Sequence, residues 1–413
     1  MMQEALRVIE LTEASNTEVT DLTADECDHL IEQIEGISIQ RKPYTENTYI
    51  INPNNLVGTI RAGNLEVRLK PKLPISSVYF LLLYPGIRKS VFRDDFVLSK
   101  NADELHEVIA RSFARLADNA TQEILQAYQQ REETLMGVKG RIRLADQFGK
   151  HGRISIPLEV SYDDLTSDIV ENQLVLAAAR RLLPLKKVEE ETLLLLREVI
   201  RRLPEVKLVN FDRTDLPYVP ITRLNQRYES VMELSRLILS NQVVEFGSGG
   251  VWSESMIFPM WTVFENFVHA ALSDELGLNT KNFPKNSPNN GLFLDGPKGE
   301  SIPLKPDLSW WEGDRCVFVG DVKYKRDFLL KGEQADLYQL LAYTIAAEVK
   351  DGFLIYAHTK ASQKIAHHEI SRSGKNLHIL ALDISGSPKQ IMKNLAEIAN
   401  LISRSVHISS NAK

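Results

Sequence analysis

Two aspartates and a lysine stand inside an apolar stretch in the last third of the chain. Lys305-Pro306-Asp307 is followed, after thirteen residues, by Asp321-Val322-Lys323. Residues 304–311 and 316–324 read as two strands joined by a tight Glu312-Gly313-Asp314 turn. In an ideal hairpin centred on Gly313, Asp307 lies opposite roughly Val319. Asp321 then falls on the same face, diagonal to Asp307, and Lys323 lies two positions further along that face. Two carboxylates that close are costly to keep ionised unless a cation sits between them. An all-oxygen environment suits a hard divalent ion such as Mg²⁺, and the Val322 carbonyl is a further candidate ligand. Metal and lysine together suit phosphodiester hydrolysis: the metal polarises the phosphate and activates water, while the lysine orients the nucleophile or neutralises developing charge. The competing reading is a surface ion pair on an ordinary hairpin. Against it, Asp and Lys are rare inside so apolar a strand unless partnered.

Neighbouring segments supply supporting groups. Gln339 and Tyr343 are four apart on an expected helix over 334–347 and so share one face, while Leu337, Leu340, Leu341 and Thr344 form its buried stripe. Glu265, in an expected helix over 260–276, is a candidate extra acid on the metal side. Lys325 and Arg326 continue basic charge past Lys323, where a phosphate backbone could lie. Arg141 and Arg143, with Arg131 and Lys139 nearby, are candidates for contact with DNA or a partner, and a solvated strand edge explains them equally well. Trp310 and Trp311 could stack on a base but suit core packing better. His367-His368 has no third ligand at useful spacing.

The elements that must position these groups divide the chain in three. Residues 1–103 read as a β-rich domain. An apolar strand-like piece over 6–11 is followed by a helix opened by Thr23 and Glu26 at capping-box spacing. Short antiparallel strands then run from about 49 to 72, broken at Asn52-Pro53-Asn54-Asn55 and Gly63-Asn64. Residues 78–84 form a buried strand or short helix. Residues 104–245 read as mainly helical, with helices over 104–130, 168–183, 188–203 and 228–239 and a loop and strand over 135–148. Phe246-Gly247-Ser248-Gly249-Gly250 marks the boundary to residues 246–413. There, helix, strand pair, helix, strands over 352–357 and 377–384, and a last helix over 389–403 describe an α/β sandwich around a mixed sheet. The fold class expected is α+β and multidomain.

Composition narrows the alternatives. At 413 residues, 43% hydrophobic and 25% charged, the chain has the makeup of a globular protein of two or three domains. No apolar run approaches membrane-spanning length, the N-terminus has no signal pattern, and two distant cysteines fit a reducing cytoplasm. A net charge of -6 argues against a protein coated in nucleic acid, but not against an acidic cleavage site flanked by a local basic stripe.

Pro306-Asp307…Asp321-Val322-Lys323, followed by Gln339-Leu-Leu-Ala-Tyr343, resembles the PD-(D/E)XK nuclease superfamily in its variant with a Gln-x-x-x-Tyr helix. Finer features resemble the McrC family, the nuclease subunit of McrBC-type restriction systems. They are Val57-Gly58-Thr59-Ile60-Arg61 with Leu69-Lys70-Pro71-Lys72, Gly140-Arg141-Ile142-Arg143, and Tyr162-Asp163-Asp164-Leu165-Thr166 with Glu171-Asn172. Further along come Phe264-Glu265-Asn266-Phe267-Val268, Asp321-Val322-Lys323-Tyr324-Lys325 and Asp336-Leu337-Tyr338-Gln339-Leu340-Leu341. The likeness covers roughly residues 45–385. It implies a Mg²⁺-dependent endonuclease subunit with a PD-(D/E)XK core, acting on double-stranded DNA, with 5-methylcytosine as the family's modification. It also implies a hexameric AAA+ GTPase ring as partner, which binds the GTP and is met through the N-terminal region. In agreement, this chain has no Gly-x-x-x-x-Gly-Lys-Ser/Thr loop. Two rival readings stay open: a stand-alone repair or recombination nuclease, and a non-catalytic adaptor that activates a GTPase.

Overall fold

The computed structural model describes residues 7–34, 36–62, 64–87, 105–152, 154–185, 188–212, 215–240, 255–285, 291–296, 300–325, 333–358 and 366–411. The Phe246–Gly250 boundary and Arg326 lie outside them. The chain is α+β and forms two compact units: Met1–His106 together with Val243–Lys413, and Glu107–Gln242. The expected division put residues 1–103 and 246–413 in separate domains. Here they share one unit, because a strand from after the boundary completes a sheet begun before it.

The first unit opens with β1 (Arg7–Thr12), β2 (Thr17–Val19), α1 (Ala24–Gln33), β3 (Ser38–Arg41), β4 (Tyr49–Asn52), β5 (Leu56–Ala62), β6 (Leu65–Lys70) and α2 (Ile75–Ile87). α1 starts where sequence expects it. The Glu26 N–H donates to Thr23 Oγ1 at 3.2 Å, and the Thr23 N–H donates to Glu26 Oε2 at 2.8 Å, a complete capping box. Strands β2, β4 and β3 form one antiparallel sheet. In the other, of order β1-β6-β5-β10, β1 runs parallel to β6 rather than antiparallel. Leu11, Ile51, Leu56, Ile60, Val67 and Ile257 are among the side chains that close a core between them.

The second unit holds α3 (Leu105–Thr121) from Glu107 onward, β7 (Ala127–Leu135), β8 (Arg141–Ile142), α4 (Leu144–His151), β9 (Leu158–Thr166), α5 (Val170–Leu182), α6 (Glu190–Arg202) and α7 (Glu229–Ser240). The helix expected over 104–130 stops at Thr121, and residues 127–135 instead pair with β9 along their whole length. Ala127–Leu135 is wet on both faces, so no apolar alternation announces a strand.

The chain returns to the first unit with β10 (Ser255–Pro259), which pairs antiparallel with β5 and runs directly into α8 (Met260–Leu276). Then come β11 (Leu292–Asp295), β12 (Ser301–Leu304), β13 (Leu308–Glu312), β14 (Arg315–Lys323), α9 (Gln334–Ala346), β15 (Asp351–His358), β16 (Ala366–Ile370), β17 (Lys375–Asp383) and α10 (Pro388–Asn411). Five of these strands make a mixed sheet of order β13-β14-β15-β17-β16. β14, β15 and β17 are parallel, with antiparallel strands at both edges. α9 packs on one face, over Leu354, Tyr356, Leu377 and Ile379, and α8 and α10 pack together against β14 and β17. Coverage on both faces explains why β14 reads as one apolar run.

The join between β5 and β10 allows no side chain at Gly58. That residue has φ 133°, and a Cβ there would run into the Met256 carbonyl oxygen of β10. We expect Gly58→Ala to cost about 2–5 kcal/mol, from overpacking plus backbone strain. Gly313→Ala, at φ 63° with open space around it, should cost only about 1–2 kcal/mol. Denaturant unfolding of the two variants compares them directly, and equal losses would refute the role given to the β5–β10 contact.

Candidate functional site

The hairpin that carries the acids departs from ideal register, and the departure brings them closer. β13 begins at Leu308, which pairs with Gly320, while a bulge between Trp310 and Trp311 shifts the pairing nearer the turn. One step beyond Leu308↔Gly320, Asp307 comes abreast of Asp321 instead of Val319. The shift is two residues, so the face expected from alternation survives and the diagonal pair becomes a direct one. The Val322 N–H donates to Asp307 Oδ2 at 2.8 Å and pins that carboxylate to β14. A Cβ at Gly320 would press on the Phe353 carbonyl and the Phe318 ring, so the strand before Asp321 is tightly held.

Asp321 is 1% exposed, and neither of its carboxylate oxygens receives a hydrogen bond of good geometry. Lys323 Nζ lies 2.5 Å from Oδ2, an ionic contact without hydrogen-bond alignment. Burial, then the neighbouring Asp307 charge, push the Asp321 carboxyl up to about 7 against the pull of Lys323. Asp307 is also raised, chiefly by burial, with the Val322 N–H opposing. Burial works against the charge on Lys323, yet its contact with Asp321 and the surrounding carboxylates hold its pKa above the ordinary lysine value. The lysine is therefore a resident cation at neutral pH. Glu265, on α8, is raised first by burial, with Lys285 lowering it and Asp321 raising it. It acts on the pair through its charge, and among the described residues no group of three or more His, Cys, Asp or Glu is gathered tightly enough to cage a metal.

α9 adds the polar stripe expected from sequence. Gln339 Nε2 donates to Tyr343 Oη at 2.8 Å, and Tyr343 Oη donates to the Lys305 carbonyl at 3.3 Å, two residues before Asp307. Tyr343 itself is buried. Lys325 does not stand free for a phosphate: Nζ contacts Glu333 Oε2 at 2.5 Å and both Asp336 oxygens at 3.0 and 3.2 Å. Arg143 is engaged with Glu132 at 3.0 Å and with Asp146. Arg141 is exposed, and both arginines belong to the second unit. Trp310 and Trp311 are buried, and Trp311 Nε1 donates to Ser309 Oγ, which suits core packing.

Sequence reasoning gave no role to Asp336, Tyr356 or Lys285, although Asp336 opens one of the motifs that carry the family resemblance. Asp336 lies in the first turn of α9, three residues before Gln339, and that spacing is the signal that could have flagged it. Tyr356 sits in a buried apolar strand and Lys285 in a connection, and neither carries a sequence signal.

The residues fit a divalent cation of the Mg²⁺ class. Two adjacent carboxylates, Asp321 buried with neither oxygen hydrogen-bonded and Asp307 half-buried, form a site that resists a second negative charge and would be relieved by a cation. A cage of three acids is not required, because Mg²⁺ is commonly held by one or two carboxylates together with waters and substrate phosphates.

This gives a pH signature. In the unfolded chain Asp321 ionises near the ordinary carboxylate value of about 4, but in the folded protein only near 7. Without a cation, the folded state should therefore lose stability as pH rises through that window. In chelator, Tm of the wild type should fall between pH 5 and pH 8 relative to Asp321→Asn, by on the order of a few degrees. Added Mg²⁺ should raise Tm of the wild type at pH 8 and not that of the variant. Parallel Tm–pH curves for the two proteins would contradict the assignment.

Comparisons with known proteins agree with the fold. The family described as McrBC 5-methylcytosine restriction system component matches residues 51–357. Among solved structures, the chain is similar to a chain of the refined half-complex from the tetradecameric assembly of Thermococcus gammatolerans McrB AAA+ hexamers with bound McrC. The identity is 17% and the TM-score 0.55, over 96% of this chain and 100% of that one, a likeness of fold. A chain of the Thermococcus gammatolerans McrBC complex determined by cryo-EM is similar at 18% identity and TM-score 0.44, over 65% of this chain and 88% of that one. A comparison with curated proteins gives no match. Since the family match spans well over half of the sequence, the chain belongs to the family of McrBC 5-methylcytosine restriction system components.

Proposed function

We propose that this chain is the McrC-type nuclease subunit of a GTP-dependent restriction complex, with a PD-(D/E)XK core that cleaves DNA phosphodiesters using Mg²⁺. The observation that carries the reading is buried Asp321 beside half-buried Asp307, with Lys323 Nζ 2.5 Å from Asp321 and no hydrogen bond to either Asp321 oxygen. Family membership supports a role in restriction, and the fold it shares includes a chain from an assembly of McrB AAA+ hexamers with bound McrC.

In this reading Asp307 and Asp321 hold the metal, with the Val322 carbonyl as a further donor and Glu265 in its surroundings. A bound Mg²⁺ would supply Lewis-acid polarisation of the scissile phosphate and a lowered pKa for the attacking water. Lys323, kept protonated by its carboxylate neighbours, donates toward the phosphate or the nucleophilic water and offsets charge that develops on the phosphate oxygens. It holds its proton at Nζ, so it is not the base. Gln339 and Tyr343 brace the segment before Asp307 through the Lys305 carbonyl. The chain has no nucleotide-binding loop of its own, so GTP binding and hydrolysis fall to a hexameric AAA+ partner, which the N-terminal segment and the second unit are proposed to dock. The DNA is double-stranded, and 5-methylcytosine is the modification that the family points to.

The test is cleavage of methylated and unmodified plasmid with Mg²⁺, with and without the AAA+ partner and GTP. Wild type should cut only with partner and GTP. Asp321→Ala and Lys323→Ala should each lose on the order of 10²–10³-fold or more in rate while still stimulating the partner's GTP hydrolysis. Partner-independent cutting would favour a stand-alone nuclease. Intact GTPase stimulation with no cutting by the wild type would leave an adaptor.

A further inference from the structure

Lys323 and Lys325 are two residues apart and differ in their company. Lys323 faces Asp321. Lys325 lies beyond the end of β14 and faces the start of α9, where Glu333 and Asp336 receive it. Glu333 is exposed, and such a pair contributes little. Asp336 is 5% exposed, and a buried carboxylate in that position demands partners. It has them on both oxygens: Lys325 Nζ at 3.2 Å from Oδ1 and 3.0 Å from Oδ2, and Tyr356 Oη donating to Oδ2 at 2.7 Å.

The position of Tyr356 makes this network more than a local tie. Tyr356 is fully buried in β15, and in the parallel register of β14 and β15 it is the residue paired with Lys323. Asp336 therefore stands over the Lys323–Tyr356 pair and binds the residue on one side of it, Tyr356, and the residue just past it, Lys325. The Asp336 charge also acts on Lys323 directly. On α9, Asp336, Gln339 and Tyr343 follow at spacings of three and four, so they lie along one stripe of the helix. Anchoring the first of them fixes the rotation of the helix and presents the other two to the segment before Asp307.

We infer that Asp336 is a positioning residue for the proposed cleavage reaction: through Lys325 and Tyr356 it locks the first turn of α9 to the ends of β14 and β15 and so keeps Lys323 seated against Asp321. Lys325 is then part of the brace and not a DNA-contacting residue. The inference rests on the nuclease reading for its consequence in catalysis, while the seating of Lys323 is measurable without cleavage.

The test uses the full chain with its AAA+ partner, GTP, Mg²⁺ and plasmid under single-turnover conditions, with Asp336→Asn, Lys325→Met, the double variant and Lys325→Arg. In parallel, a short pulse of acetic anhydride followed by mass spectrometry measures labelling of Lys323, with Lys305 as internal reference. Asp336→Asn and Lys325→Met should each lower the cleavage rate about tenfold or more with little change in half-saturating DNA, as expected when a reacting group is misplaced rather than binding lost. The double variant should be no slower than the slower single one, because the two residues act as a unit. Lys325→Arg, which keeps charge and reach, should recover most of the rate. Labelling of Lys323 relative to Lys305 should rise severalfold in Asp336→Asn. Should that variant fail to fold, Lys325→Met carries the same comparison. A weakened DNA affinity with an intact rate in Lys325→Met would overturn the inference and return Lys325 to the DNA interface. Unchanged Lys323 labelling in Asp336→Asn and Lys325→Met would overturn it as well. A wild type that never cleaves fails the nuclease reading instead, and the labelling result alone then judges the positioning role.

Discussion

The constraint on which the C-terminal half depends is the placing of two carboxylates side by side at the end of one hairpin, Asp321 buried and Asp307 half-buried. An isolated charged group in such surroundings is so unfavourable that it neutralises or finds a partner. Here Asp307 takes the Val322 N–H, and Asp321 takes only the ionic contact of Lys323. The rest of the sheet makes that arrangement tolerable. β14 and β15 are buried along most of their length and held between helices, which keeps Asp321 in a largely apolar setting. Both acids keep pKa values raised first by burial, and such perturbed groups cluster at functional sites.

The N-terminal sheet belongs to the same argument. β10 leaves β5 and becomes α8 with no intervening loop, and the Met260 N–H donates to the Asn55 carbonyl at 2.8 Å. α8 in turn packs on β14 and carries Glu265. A small sheet from the start of the chain thus sets where one wall of the acid pair stands. Gly58, with its Cβ position filled by the β10 backbone, is the residue that lets this sheet close. Such a connection makes the β1-β6-β5-β10 sheet structural to the site whatever else it binds.

How much of this was legible in the sequence follows from what each element has to bury. α1 was readable because Thr23 and Glu26 form a local device that needs no tertiary information. α8, β14, β15 and β17 were readable because long apolar stretches fix type and extent. Same-face placement of Asp307, Asp321 and Lys323 was readable from alternation alone, while their true register was not, since a turn closed by Glu312↔Arg315 and a bulge at Trp310 each move it by one residue. β7 was unreadable: its Gln129, Gln130, Arg131 and Glu132 carry no apolar rhythm, and only pairing with β9 makes it a strand. β10 was missed because its partner lies about two hundred residues earlier in the chain, a separation that no local pattern records.

The two lysines past Asp321 show why residue type and spacing stop short of role. Lys323 and Lys325 have the same chemistry and similar surroundings in sequence, one at the last position of β14 and the other just past it. What separates them is the acid each meets. Asp321 has oxygens left over after Lys323, so it can still accept a cation or a phosphate-bound water. Asp336 has both oxygens occupied by Lys325 and Tyr356, so it is closed to ligands. An open carboxylate and a satisfied one, close together and both buried, divide the work between them. The satisfied one supplies rigidity, and the open one retains the unmet demand that chemistry can use. Because the open site has only two protein carboxylates and a carbonyl to offer, a hard divalent ion would find its coordination incomplete without the substrate phosphate. Under the proposed nuclease reading, cation and DNA would then bind with mutual support, and a cut would require both to be present.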